Sequence, residues 1–147
     1  AWVKPNSTSK QAIFGFKSST GCSNYCNGGL YIYNNKYTFN WFDLSNYQWL
    51  ESSTPVTTDN FVHIVSTFDG SSIKLYINGK LENTYTSQTN LNYSSGMNLL
   101  EIGYNSRDGI KDAFNGNISI IKFCKSKALT PQEVQQNYNA LKDRFGL

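Results

Sequence analysis

Ten carboxylates and one imidazole are the side chains able to move protons near neutral pH in this chain of 147 residues. Glycoside cleavage needs two carboxyl groups roughly 5–9 Å apart. An i, i+2 spacing on a strand would put such a pair on one face. The four Glu and six Asp nowhere stand at that spacing, and Glu101 is alone on its segment with Gly103 after it. His63 is the sole histidine, so any Ser-His-Asp or Cys-His mechanism has to run through it. It sits mid-strand with Phe61 and Val65 on the same face, which reads as a packed, hydrogen-bonded position. No Gly-rich loop precedes a helix, so nucleotide binding has no support. Cys22 and Cys26 lie four apart in GCSNYCNGG. A disulfide there would staple a loop and imply an oxidising compartment; two free thiols are the other reading. With Cys124 and His63 they match none of the usual tetrahedral zinc spacings.

The elements that position these residues are strands. Aromatics make up 15% of the chain and charged residues only 16%, which suits pleated, half-buried surfaces and not a disordered chain. The formal charge of +3 is spread along the sequence, so no basic footprint for nucleic acid exists. No apolar run reaches the length of a membrane span. Strands are expected over 1–4, 11–17, 29–33, 36–43, 47–50, 60–68, 72–77, 80–86, 98–104 and 116–124. Turn signals between them give a sandwich or barrel. Thr130-Pro131-Gln132-Glu133 is a capping box with Pro at the first helical position. Val134, Tyr138 and Leu141 follow as one apolar stripe, in a helix ending near Asp143.

Taking Asn34-Asn35 as a two-residue turn sets a register: Tyr33 faces Lys36, Ile32 faces Tyr37, Tyr31 faces Thr38 and Leu30 faces Phe39. Leu30, Ile32, Tyr37, Phe39 and Trp41 then share a core face. Tyr31, Tyr33, Lys36, Thr38, Asn40 and Phe42 share the other, a mixed face open either to plain solvent or to a ligand. Across Asn78-Gly79 the register places Leu81 beside Tyr76, opposite Ile73, Leu75 and Ile77. Either both faces are covered or a bulge intervenes. Sugar recognition wants an aromatic platform beside planar polar groups. Three further clusters offer it: Tyr104 and Asn105 with Arg107 and Asp108, Tyr25 with Asn24 and Asn27, and Tyr47 with Trp49.

Residues 60–80, NFVHIVSTFDGSSIKLYINGK, carry Phe61, His63, Ile64, Val65, Asp69-Gly70, Leu75-Tyr76-Ile77 and Asn78-Gly79 in order. This run resembles the signature of laminin G-like, concanavalin A-like domains. Trp2-Val3-Lys4-Pro5, Leu100-Glu101-Ile102-Gly103, Phe114-Asn115-Gly116-Asn117-Ile118 and Ala128-Leu129-Thr130 to Glu133 resemble its other segments. The resemblance covers nearly the whole chain. It implies an all-β, two-sheet antiparallel jelly-roll sandwich with one short C-terminal helix, a single domain over 1–147. It also implies a strand ahead of Trp2, so the chain is expected to be the C-terminal part of a longer protein and to lack its first strand. The Glu-x-Asp-x-Glu strand of glucanases with this fold is absent.

The resemblance further implies Ca²⁺ at the sandwich rim, for which Asn24, Asn27, Asn105, Asp108 and Asp112 are the oxygen donors on offer. Asn, Asp and Gly also populate turns for backbone reasons of their own. The expected function is non-catalytic: a lectin-like module binding a glycan, glycoprotein or cell surface, in an extracellular, cell-surface or virion-surface protein. Its expected contacts are Tyr104, Asn105, Arg107, Asp108, Tyr25, Asn27, Tyr31 and Tyr33. The alternative is an assembly domain that packs against other domains or subunits of its parent and binds no sugar. A hydrolase with no visible acid pair comes third.

Overall fold

The computed structural model describes residues 1–18, 28–42, 47–86, 97–107 and 110–147. In chain order the strands are β1 (Trp2–Pro5), β2 (Gln11–Ser18), β3 (Gly29–Tyr33), β4 (Lys36–Phe42), β5 (Tyr47–Pro55), β6 (Val62–Phe68), β7 (Ser72–Ile77), β8 (Lys80–Thr86), β9 (Met97–Ile102), β10 (Ser106–Arg107), β11 (Ile110–Lys111) and β12 (Gly116–Ile120). Helix α1 (Pro131–Asn139) and a 3-10 turn (Lys142–Phe145) follow. A front sheet of order β5-β4-β3-β2-β9 packs on a back sheet of order β12-β1-β6-β7-β8, and β10-β11 form a small ribbon. All these pairings are antiparallel. The result is a jelly-roll sandwich.

The turn chemistry sets the registers. Asn34 and Asn35 have φ of 50° and 59°, the two positive values of a type I′ turn. The four pairings expected around them are all present. Leu30, Ile32, Tyr37, Phe39 and Trp41 are buried together with Val3, Ile64 and Leu75 between the sheets. In the β7-β8 hairpin a register shift between Leu75 and Tyr76 is the bulge that reconciles the two faces. Ile73, Leu75 and Ile77 stay inside, while Leu81, opposite Tyr76, is left exposed.

Most boundaries fall within two residues of expectation, and three differ by more. β5 runs on to Pro55 because its second half pairs with β4 past a register shift and because Glu82 accepts from the Thr54 amide and hydroxyl at 2.8 and 2.9 Å. β12 stops at Ile120, where β1 itself runs out opposite it at Trp2. Helix α1 ends at Asn139 and not near Asp143, because the Ala140 amide makes the last i−4 bond, to the Gln136 carbonyl, while the Leu141 amide turns to the Tyr138 carbonyl three residues back and the chain tightens into the 3-10 turn. At the other end Thr130 and Glu133 cap each other's backbone as the sequence predicts. Lys127 pairs with the same Glu133, and these contacts hold its carboxyl below the usual range.

Helix α1 seals the outer face of the back sheet. Val134 is fully buried. Trp2 stacks on His63 at 4.9 Å, on Tyr138 at 5.8 Å and on Phe145 at 4.3 Å. His63 is packed, as its position suggested, but its Nδ1 has no hydrogen-bond partner among the described residues. Burial, and then the charge of the Ala1 ammonium, push its imidazole down to about 3. Such a group is a neutral structural imidazole and a poor proton carrier at neutral pH.

Candidate functional site

Alternation along β3, β4 and β5 sends Tyr31, Tyr33, Thr38, Asn40, Trp49 and Glu51 to the outer face of the front sheet. The ladders align Trp49, Asn40, Gly29, Gly15 and Glu101 in one row across five strands. The two central glycines leave a hollow. A Cβ on Gly15 would lie 2.2 Å from Asn105 Nδ2 and 3.0 Å from the Tyr31 hydroxyl, and one on Gly29 would lie 2.9 Å from the Tyr31 ring. Tyr31 and Asn105 therefore lie down across the glycines, 3% and 2% exposed.

Around that hollow stands an aromatic platform. Tyr33 and Trp49 stack at 4.9 Å with an interplanar angle of 25°, and Tyr31 meets Trp49 edge-on at 6.4 Å. Tyr33 and Trp49 are half-buried, so part of each ring faces outward. Asn40 Oδ1 and Asn105 Nδ2 are buried and have no hydrogen-bond partner among the described residues. A buried polar atom left unpaired costs about 1–3 kcal/mol. Both atoms are closed off from solvent, so the surface that a ligand can meet on this face is the outward part of Tyr33 and Trp49.

Glu51 and Glu101 mark opposite ends of the face, on β5 and β9. Four interstrand spacings separate their strands, about 19 Å. A glycosidase pair needs less than half of that. Asp112 and Glu82 are engaged elsewhere, with Lys10 at 2.8 Å and with Thr54. Asp69 accepts from the hydroxyls and amides of Ser71 and Ser72. The Ser72 hydroxyl first, then the other donors, hold its carboxyl well below the usual carboxylate range, as befits the turn residue.

The expected contacts fall into three groups. Tyr31 and Tyr33 are on the face, but Tyr31 is an underlayer and Tyr33 the outward ring. Asn105 reaches the same face from the loop after β9, where its carbonyl accepts from the Asp112 amide at 3.1 Å. Tyr104 beside it is half-buried, and Arg107 falls in β10. Tyr25, Asn24, Asn27, Cys22, Cys26 and Asp108 lie outside the described residues. Of the calcium donors the described part contains Asn105 and Asp112. The Lys10 ammonium on Asp112 opposes a cation there, and no group of three or more His, Cys, Asp or Glu among the described residues could hold a metal. Those two residues do not by themselves make a calcium site. Trp49 pairs with Tyr33 and not with Tyr47, whose ring meets Phe42 at 5.6 Å. Asn40 shares the face opposite Gly29, where the hairpin register already set it, but was not among the expected contacts. Cys124 is free and exposed. No helix among the described residues is long and apolar enough to cross a membrane.

None of the curated proteins matches the chain. Solved structures share its fold. The CBM40 domain of the Ruminococcus gnavus IT-sialidase superposes with a TM-score of 0.74 at 18% identity, covering 93% of this chain and 79% of that one. The same domain bound to α2,3 sialyllactose gives 0.73 at 19% identity, with the same coverage. Domain 4 of AbnA, an extracellular arabinanase from Geobacillus stearothermophilus, in complex with arabinotriose, gives 0.60 at 17% identity, covering 92% and 62%. The family model for the concanavalin A-like lectin/glucanases superfamily, Laminin_G_3, matches residues 1–135. With the two five-stranded sheets, the turn registers and that match in hand, the chain belongs to the concanavalin A-like lectin/glucanase superfamily.

Proposed function

We propose that this protein is a non-catalytic carbohydrate-binding module, acting outside the cell, that presents the outer face of its front sheet to glycans. The observation that carries this reading is the half-buried Tyr33–Trp49 stack on the outer face of the front sheet. A pyranose ring covers such an aromatic platform with its apolar C–H face. The wide separation of Glu51 and Glu101 supports binding without cleavage. The bound glycans in the CBM40 and AbnA structures support the same class of ligand.

A glycan array carrying neutral and sialylated sugars, read with Ca²⁺ and with chelator, tests it. Hits that vanish in Trp49→Ala while the fold survives support the face; hits that also need Ca²⁺ bring a rim metal into the site. A blank array on folded protein sinks the reading. It then shifts weight to the assembly domain, which the exposed Leu99, Leu100 and Ile102 along edge strand β9 favour.

A further inference from the structure

The Tyr33–Trp49 stack has a carboxylate at its flank. In the ladders of the front sheet Tyr33 shares a row with Lys36, and Trp49 shares a row with Asn40 and Gly29. The row between them runs Tyr31, Thr38, Glu51. Rings rooted on either side of this row and stacked at 4.9 Å meet above it. Beneath them the row is closed, with Thr38 fully buried and Tyr31 nearly so. Glu51, at the β5 end of the row, stays partly exposed. One interstrand spacing, about 4.8 Å, separates its strand from Thr38.

Nothing in the described residues answers that carboxylate. The Glu51 backbone carbonyl accepts from Asn83 Nδ2 at 3.1 Å, but its side chain has no hydrogen-bond or ion-pair partner among the described residues. Lys36, in the neighbouring row, donates from its ammonium to the Ser53 carbonyl instead. A ligand seated on the stack therefore meets two features. The ring faces attract a cation through their quadrupole, and the carboxylate takes charge-assisted hydrogen bonds from an N⁺–H donor. A neutral pyranose uses the rings and leaves the charge unanswered. A sialic or uronic acid brings a second carboxylate, and like charges repel. A hexosamine with a free amine uses both features.

We infer that the front face selects glycans carrying an unacetylated amino sugar, its ring against Tyr33 and Trp49 and its ammonium on Glu51. This inference rests on the front-face glycan reading and narrows it. The formal charge of the whole chain is +3, which works against cationic ligands in general, so a preference for one has to come from a local group.

The probes are β1,4-linked trimers of glucosamine, of N-acetylglucosamine and of glucose, together with α2,3 sialyllactose. Titration calorimetry on the intact 147-residue protein at low salt, near pH 6.5 where an aliphatic amine is charged, reads their affinities. The glucosamine trimer should bind about tenfold tighter than the other two trimers, with sialyllactose weakest. Glu51→Gln, neutral and of the same shape, should bring the glucosamine trimer down to the level of the glucose trimer. Glu51→Asp, which keeps the charge, should retain the order of preference, and melting curves check that both variants are folded. Equal affinity for the three trimers, a preference for the N-acetylated trimer or for sialyllactose, or a preference that survives Glu51→Gln overturns the inference and leaves the glycan reading standing. Binding of none of the four to folded protein also overturns it, and is the one outcome that counts against the glycan reading as well.

Discussion

The two outer faces of this sandwich are built from similar side chains and end in opposite states. The back face carries Trp2, His63 and Tyr76, with Trp2 Nε1, His63 Nδ1 and the Tyr76 hydroxyl buried and without a hydrogen-bond partner among the described residues. The front face carries Tyr33, Trp49, Asn40 and Asn105, with Asn40 Oδ1 and Asn105 Nδ2 in the same condition. Over the back face lie α1 and the 3-10 turn, and Trp2 is 1% exposed. On the front face the large rings remain partly outward. Unpaired polar atoms under a dry helix cost stability and offer nothing, since no ligand reaches them. On the front face a ligand can reach the outward parts of the Tyr33 and Trp49 rings. What separates the two faces here is a lid and not composition.

The comparison breaks most visibly at Trp2. Trp2→Ala removes the ring that His63, Tyr138 and Phe145 all stack on, and it should destabilise by about 3–5 kcal/mol in chemical denaturation without changing which glycans bind. Acid tests the dryness of the same face. Unfolded, His63 titrates at its ordinary value near 6.5; folded, it resists protonation down to about 3. Below 6.5 the unfolded state takes up the proton first. Stability is thus complete above 6.5 and falls as pH drops toward 3, by about 3 kcal/mol at pH 4. The difference between the parent and His63→Phe, followed by melting from pH 7 to pH 4, isolates that loss from the titration of the buried Ala1 amine, which burial lowers to about 5. A parallel decline in both proteins would mean that water reaches His63.

On the front face the expected effects are smaller and of another kind. Trp49→Ala should weaken glycan binding about tenfold, or ~1.4 kcal/mol, by titration calorimetry, and leave the melting point close to that of the parent. A large drop in melting point with unchanged affinity would make Trp49 a structural ring like Trp2. Smallest is Thr130→Ala. Losing the capping box should cost about 1 kcal/mol, and the frayed helix should shift Trp2 emission to longer wavelength. Unchanged emission would mean that the Phe145 end holds the lid alone.

Much of this was legible before any coordinates. Asn-Asn and Asn-Gly turns are local, and once placed they fix which residue faces which, so Leu30 against Phe39 and Tyr31 against Thr38 could be written from the chain alone. The Thr130–Glu133 box is local too. The site was legible only in part. Tyr33 on a non-core face follows from the register. Its partner Trp49 comes from a strand whose pairing no turn within the described residues dictates, and Asn105 arrives from beyond β9, about seventy residues later in the chain. Tyr31 looked like a surface ring by alternation, yet Gly15 and Gly29 let it lie flat.

Most of the strands, the β3-β4 register, the capped helix and the family are legible in the chain alone, because each rests on interactions between residues close in the chain or on an ordered set of short motifs. The tertiary structure alone decides which face helix α1 covers and which rings of the front sheet face outward. Alternation with period two tells a strand that it has two faces. It carries no information about what lies across from either of them, because that depends on side chains and backbone brought together from distant parts of the chain.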